Sequence, residues 1–219
     1  MRIVILISGR GSNMEALIEA CADPVFPAEI ALVIANRPTA EGLAKAGGRQ
    51  IPTTVIDHTT FADREAFEVA IDAAAREARA DLICLAGFMR LLSPWLVGRW
   101  RGRMINIHPS LLPAFRGLHV HERVLESGVR FSGCTVHFVS PEMDEGPIIA
   151  QAAIPVLPDD TPDALAARVL EQEHRIYPLA VRLIAERRVR ITGHQVELKD
   201  APLASGALIN PAAPSPGDP

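Results

Sequence analysis

Four short runs of aliphatic residues, three of them each followed by a stretch with helical spacing, set the narrowest bound on how this chain can fold. They are Arg2-Ile3-Val4-Ile5-Leu6-Ile7, Ile30-Ala31-Leu32-Val33-Ile34-Ala35, Thr53-Thr54-Val55-Ile56 and Asp81-Leu82-Ile83-Cys84-Leu85-Ala86. The unbroken apolar character of the first run, and the apolar stretches of the second and fourth, are the pattern of strands buried on both faces. Helical spacing follows at 14–20, at 40–46 before Gly47-Gly48, and at 61–79, where Asp57 or Thr60 can cap the helix. Strand–helix units of this length predict an α/β fold built on a doubly wound, mostly parallel sheet. Ligands of such sheets gather at the carboxyl ends of the strands, so residues 8–13, 87–92 and 106–110 are expected around one crevice.

Later elements are also marked. Ser93-Pro94 and Thr161-Pro162 read as helix starts, the second helix reaching about residue 176 and kinking at Pro178 before 179–186. A further helix is expected over 120–126, strands over 131–139 and 148–156, and a small hairpin around Gly193. Residues 1–200 read as one domain, with a nucleotide-phosphate half over 1–100 and a second half over 101–200. From Ala201 the chain is rich in Ala, Pro, Gly and Ser, the composition of a mobile tail over 201–219.

The 219 residues are 48% hydrophobic and 22% charged, enough for a continuous core. A formal net charge of -4 gives no global attraction to nucleic acid or anionic membrane. No apolar run reaches membrane-spanning length, and the start is too short for a signal-peptide core. Cys21, Cys84 and Cys134 lie far apart, which suits reduced, packed thiols and a cytoplasmic protein.

Two places carry chemistry. After the first strand, Ser8-Gly9-Arg10-Gly11-Ser12-Asn13 leads into a helix, an arrangement that aims free N–H groups and the helix dipole at an anion. No Gly-Lys-Ser/Thr follows, which excludes a Walker A loop. Met14 stands where a dinucleotide fingerprint needs its third glycine, and the second strand ends in Asn36-Arg37 without the acidic residue that holds a ribose. A single phosphate monoester fits this turn best, with an empty turn as the alternative; the part played by Arg10 is open.

The second place is Met104-Ile105-Asn106-Ile107-His108-Pro109-Ser110-Leu111-Leu112-Pro113. Strand alternation puts Asn106 and His108 on one face, and Pro109 ends the ladder. An amide donor beside an imidazole can stabilise an oxygen that gains negative charge and handle a proton at the same centre. A polar strand end with a solvated histidine is the bland alternative. Leu112-Pro113 is a candidate cis bond and Ser110 a turn residue. His119 and His121, two apart on a helix, face different ways and do not make a metal pair. His137 reads as a buried histidine supporting the site, and Cys134 as structural.

The run 106–113, with Gly117 after it and Met143-Asp144-Glu145-Gly146-Pro147 further on, resembles the signature of the formyltransferase family that uses 10-formyltetrahydrofolate. Within it the likeness is to the branch that formylates glycinamide ribonucleotide, and it extends from Met1 to about residue 195. The resemblance implies a Rossmann-like formyltransferase fold. It implies that Gly11, Ser12 and Asn13 hold the ribonucleotide phosphate and that Glu173 contacts its sugar. Met89, Arg90, Leu91 and Leu92 would wall a reduced folate, with Leu85 and Val139 nearby and Arg64 facing the glutamyl tail. Ser140, Pro141, Glu142, Met143 and Asp144 would close over the pteridine, next to Asn106.

The chemistry implied is direct attack by the amine on the formyl carbon. Asn106 and protonated His108 stabilise the oxyanion, and Asp144 holds His108 charged and oriented. The co-substrate is 10-formyltetrahydrofolate, no metal takes part, and the partners are small molecules acting on a monomer or homodimer. Two alternatives remain. A hydrolase would deformylate the same folate with water, although such relatives carry an added N-terminal domain whereas the first strand here begins at Arg2. A non-catalytic phosphate sensor would use the 9–13 turn alone and leave Asn106, His108 and Asp144 without a task.

Overall fold

The computed structural model describes residues 1–201 and 206–210. Its centre is a seven-stranded sheet in the order β3-β2-β1-β4-β5-β6-β7. The strands are β1 (Arg2–Ile7), β2 (Glu29–Ala35), β3 (Thr53–Val55), β4 (Leu82–Leu85), β5 (Met104–His108), β6 (Phe131–Phe138) and β7 (Ile148–Pro155). The first five run parallel, while β6 is antiparallel to β5 and β7 to β6. The strand order reverses between β1 and β4, which is where a doubly wound sheet opens a crevice.

Helices cover both faces. Along β1, Ile3, Ile5 and Ile7 face one apolar layer with Leu17 of α1 (Ser12–Cys21) and Leu165, Val169 and Ala180 of α6 (Pro162–Ala185). Val4 and Leu6 face the other, with Phe67 and Ile71 of α3 (Arg64–Glu77), Leu96 of α4 (Pro94–Arg99) and Trp100. All five strand residues are fully buried, each worth roughly 1.5–3 kcal/mol by transfer arithmetic, so this strand anchors the whole sheet. The expectation of a two-faced, mostly parallel sheet holds.

Most helix starts follow the sequence signals. Ser93 Oγ accepts from Leu96 N–H and Thr161 Oγ from Ala164 N–H, with a proline opening each helix. The third helix is the exception: it begins at Arg64, where Asp63 accepts from Ala66 N–H at 2.8 Å. Asp57 instead caps a separate 3-10 turn over His58–Thr60. The second helix, α2 (Gly42–Gly48), starts two residues later than its spacing predicts. Gly42 donates its N–H to Gly9 O at 3.1 Å, and a Cβ there would meet the Ile7 side chain at 2.6 Å. A larger residue at 42 would have to displace the end of the Ile7 side chain for the helix to approach the 8–13 turn this closely.

α6 is one 24-residue helix that runs on through Pro178. Its second half is held to the sheet by Ala180 and Val181, and Tyr177 O–H donates to Leu85 O at 2.9 Å just before the proline. α5 (Val120–Ser127) and the hairpin β8 (Val189–Thr192) and β9 (Gln195–Leu198) complete the described chain. No helix among the described residues is long and apolar enough to cross a membrane. The expected tail over 201–219 falls largely outside the described residues; within it, Asn210 Nδ2 donates to Arg130 O at 2.7 Å. Cys21, Cys84 and Cys134 are free, and burial pushes the Cys21 thiol up to about 11 and Cys134 to about 12.

Candidate active site

Two cavities lie at the carboxyl ends of the parallel strands. The smaller, about 310 Å³, is lined by Ser8, Gly9, Arg10, Gly11, Ser12 and Asn13, by Arg37 after β2, and by Gly87 and Met89 after β4. Gly11 has φ +72, a left-handed conformation that favours glycine, and a Cβ there would sit 3.0 Å from the Gly42 backbone. α1 follows with no side-chain cap, so its first N–H groups are left for a ligand. Asn13 is turned inward: its Nδ2 donates to the Glu173 carboxylate at 2.6 Å. Glu173, 6% exposed, stands behind Asn13 and does not line the cavity; burial raises its pKa, which the Asn13 hydrogen bond partly offsets.

The larger cavity, about 810 Å³, is bordered by Leu85 and Met89, Arg90, Leu91 and Leu92 on one side. Asn106 and His108 form its floor, and Val139, Ser140, Pro141, Glu142, Met143 and Asp144 its other wall. Met89, Leu91, Leu118 and Met143 are each more than half exposed, which leaves an apolar rim without a partner. Gly87 and Met89 line both cavities, so the two adjoin. Arg64 is exposed at the start of α3 and borders neither.

The floor is a polar cluster from three segments. Asn106 and His108 lie opposite His137 and Thr135 in the β5–β6 ladder, which fixes their register. His108 Nε2 lies 3.0 Å from Phe115 O, and its Nδ1 lies 3.5 Å from the Asp144 carboxylate. Both ring nitrogens thus face acceptors, and only the doubly protonated ring donates to both. Asp144 also accepts from Gly117 N–H at 2.9 Å and stands 3.8 Å from His137 Nε2. Its φ of +56 is uncommon for a residue with a side chain, a local strain of the kind held at working sites.

His137 is 2% exposed, and burial pulls its pKa below 6.5, with the nearby Asp144 and the Phe138 carbonyl pulling the other way. A neutral ring with Nδ1–H on Phe138 O at 2.9 Å leaves Nε2 as an acceptor. Asn106 Nδ2 lies 3.3 Å from that atom and donates one hydrogen to it. The amide's orientation is therefore set, and its second N–H has no partner among the described residues at the cavity that Asn106 lines. Thr135 Oγ1 donates to Ser110 O at 2.7 Å and accepts from Leu112 N–H at 3.1 Å, while Ser110 Oγ donates to Ala114 O. These bonds hold the loop after β5, where the Leu112–Pro113 bond is cis.

The structure brings together Asn106, His108 and Asp144, and it places Gly11, Ser12 and Asn13 in the adjoining cavity. It adds Arg37 and Ser8, which the sequence reading did not select. Arg37 directly follows β2, a strand-end position that the crevice rule could have singled out. Ser8 carried no motif signal beyond its place in the turn. Among the described residues no group of three or more His, Cys, Asp or Glu side chains could hold a metal ion.

Fold and site together define a class: a doubly wound α/β protein with two adjoining cavities at the point where its strand order reverses. Comparison with known proteins narrows the class. The formyl transferase family model matches residues 1–181, and the chain belongs to that family. The phosphoribosylglycinamide formyltransferase of Haemophilus influenzae is 39% identical over 209 residues, covering 95% of this chain and 99% of that protein. The trifunctional purine biosynthetic protein adenosine-3 of Gallus gallus is 50% identical over 191 residues, covering 87% of this chain but 19% of that protein. The chain thus spans about a fifth of the length of that relative. A crystal structure of glycinamide ribonucleotide transformylase 1 from Symbiobacterium toebii superposes with a TM-score of 0.89 at 45% identity, covering 91% of this chain and 94% of that one.

Proposed function

We propose that this protein transfers the formyl group of 10-formyltetrahydrofolate to the primary amine of glycinamide ribonucleotide. The observation that carries the proposal is the placement of Asn106, His108 and Asp144 in the larger of two cavities that share Gly87 and Met89. The smaller cavity offers a phosphate the N–H groups of α1 and the charges of Arg10 and Arg37. The larger is of the size and apolar character that take a folate, with polar groups at its floor. Relatives named for this activity match the chain nearly end to end.

The amine nitrogen attacks the formyl carbon, and the carbonyl electron pair moves to oxygen. The free N–H of Asn106 donates to that oxyanion, and the positive charge of His108, held by Phe115 O and Asp144, lies beside it. A water held by the Asp144 carboxylate beside His108 carries the amine proton to the folate nitrogen. The carbon–nitrogen bond to the folate then breaks, the oxyanion re-forms its carbonyl, and the products are formylated ribonucleotide and tetrahydrofolate. Glu173 fixes the Asn13 side chain beside the ribonucleotide, and Arg64, exposed at the start of α3, meets the glutamyl tail outside the cavity. The protein acts as a monomer or a homodimer. Both partners are small molecules, and the free thiols suit a reducing cytoplasm.

The test is to supply 10-formyltetrahydrofolate with and without glycinamide ribonucleotide. Loss of the folate's formyl group only when the ribonucleotide is present supports transfer. Equal loss without it means a hydrolase, and ribonucleotide binding with no turnover means a sensor.

A further inference from the structure

One side chain lines the smaller cavity and also fastens the wall of the larger. Ser8, at the end of β1, is 7% exposed. Its Oγ accepts from Met89 N–H at 2.8 Å, and its N–H donates to Gly87 O at 3.2 Å. Gly87 and Met89 begin the 87–92 loop, which walls the larger cavity. The far end of the loop is tied elsewhere: Ser93 N–H and Oγ–H both donate to the carboxylate of fully buried Glu68 in α3. Between these ties Met89, Arg90 and Leu91 are exposed. The cavity-side tie of the loop is therefore the Ser8 hydroxyl.

A hydroxyl offers one hydrogen and two lone pairs. Ser8 spends a lone pair on Met89, and among the described residues its hydrogen has no acceptor. The space that Ser8 borders is the anion cradle. We propose that Ser8 is a positioning residue that couples the two sites. An anion in the smaller cavity accepts the Ser8 O–H, and the resulting chain of hydrogen bonds strengthens the tie to Met89. The 87–92 wall is then held in place for the second ligand. The coupling rests on the proposed function only for the identity of the ligands. Its thermodynamic form is reciprocal: each ligand must tighten the other by the same factor.

The test is calorimetric titration of the full chain with tetrahydrofolate, which carries no formyl group to transfer, with and without saturating glycinamide ribonucleotide. In the unaltered protein the ribonucleotide should tighten folate binding by about fivefold or more, the lower end of ordinary coupling between sites. Ser8→Ala should bring that factor below about twofold. Ser8→Thr and Ser8→Val, alike in shape but not in hydroxyl, should separate: coupling kept in the first and lost in the second. An unaltered protein with no coupling, a Ser8→Ala variant with full coupling, or a Thr and Val pair that behave alike would each overturn the proposal. Failure of the function reads differently. Coupling lost in Ser8→Ala without any formyl transfer in the unaltered protein sinks the transferase and spares Ser8; transfer with Ser8-independent coupling does the reverse.

Discussion

Replacing Asn106 by Ala should separate catalysis from folding. The side chain has one hydrogen bond among the described residues, a 3.3 Å contact to His137, and Asn106 is only half-buried in the middle of β5. Losing a bond of that kind costs about 1 kcal/mol of stability. The other amide hydrogen has its effect only once the formyl oxygen becomes negative. Removing such a donor costs about 3 kcal/mol of transition-state stabilisation. At about 1.4 kcal/mol per tenfold, kcat should fall by roughly a hundredfold. The KM values for both substrates should move by less than about threefold, because a neutral carbonyl gains little from the donor. The assay follows tetrahydrofolate release under saturating ribonucleotide, with a urea titration run in parallel. A variant whose kcat stays within about threefold of the parent would refute the assignment of Asn106 as the oxyanion donor.

Other consequences are equally specific. Burial holds His137 below 6.5, so an unfolded chain takes up more protons than the folded one as pH falls past that value. The stability His137 contributes is thus complete above about pH 6.5 and is lost as pH falls through the lowered folded value. His137→Asn should shrink the difference in urea midpoint between pH 7 and pH 5.5, and an unchanged difference would contradict the neutral assignment. The raised Glu173 acts with the opposite sign from about pH 4.5 upward, which is why the variant rather than the raw profile is diagnostic. Arg10→Ala and Arg37→Ala should each weaken ribonucleotide binding by up to about fivefold, because exposed charge contacts contribute about 0.2–1 kcal/mol. That loss should shrink at 1 M salt, where screening reaches about 3 Å; a change in folate KM instead would place the arginines elsewhere.

The parallel half of the fold was legible because its central strands β1 and β4 are buried on both faces and so read as unbroken apolar runs, Ile3 through Ile7 most plainly. Ser93 and Thr161 were legible as caps because each is followed by a proline that admits only the start of a helix. The third helix was misplaced because Asp57 and Asp63 both cap, one a 3-10 turn and the other the helix, and local spacing cannot rank them. α2 shows a second limit: its start depends on how closely Gly42 meets Gly9 and Ile7, a contact between segments.

Within the site, alternation along β5 placed Asn106 and His108 together, since their relation is local. The inward turn of Asn13 onto Glu173 spans 160 residues, and the Ser8 tie to Met89 spans 81. Neither distance leaves a periodic trace. The closeness of Asp144 to His108 came from family likeness and not from spacing, because nothing local to residue 144 predicts its left-handed backbone.

The most direct test of the central claim is a crystal structure with glycinamide ribonucleotide and a 10-formyl folate analogue whose formyl group cannot leave. The formyl oxygen should lie about 3 Å from Asn106 Nδ2, within hydrogen-bond range, with the ribonucleotide amine on the side of the Ser8–Asn13 cavity. A formyl carbon held out of reach of Asn106 and His108 while both ligands are bound would contradict it.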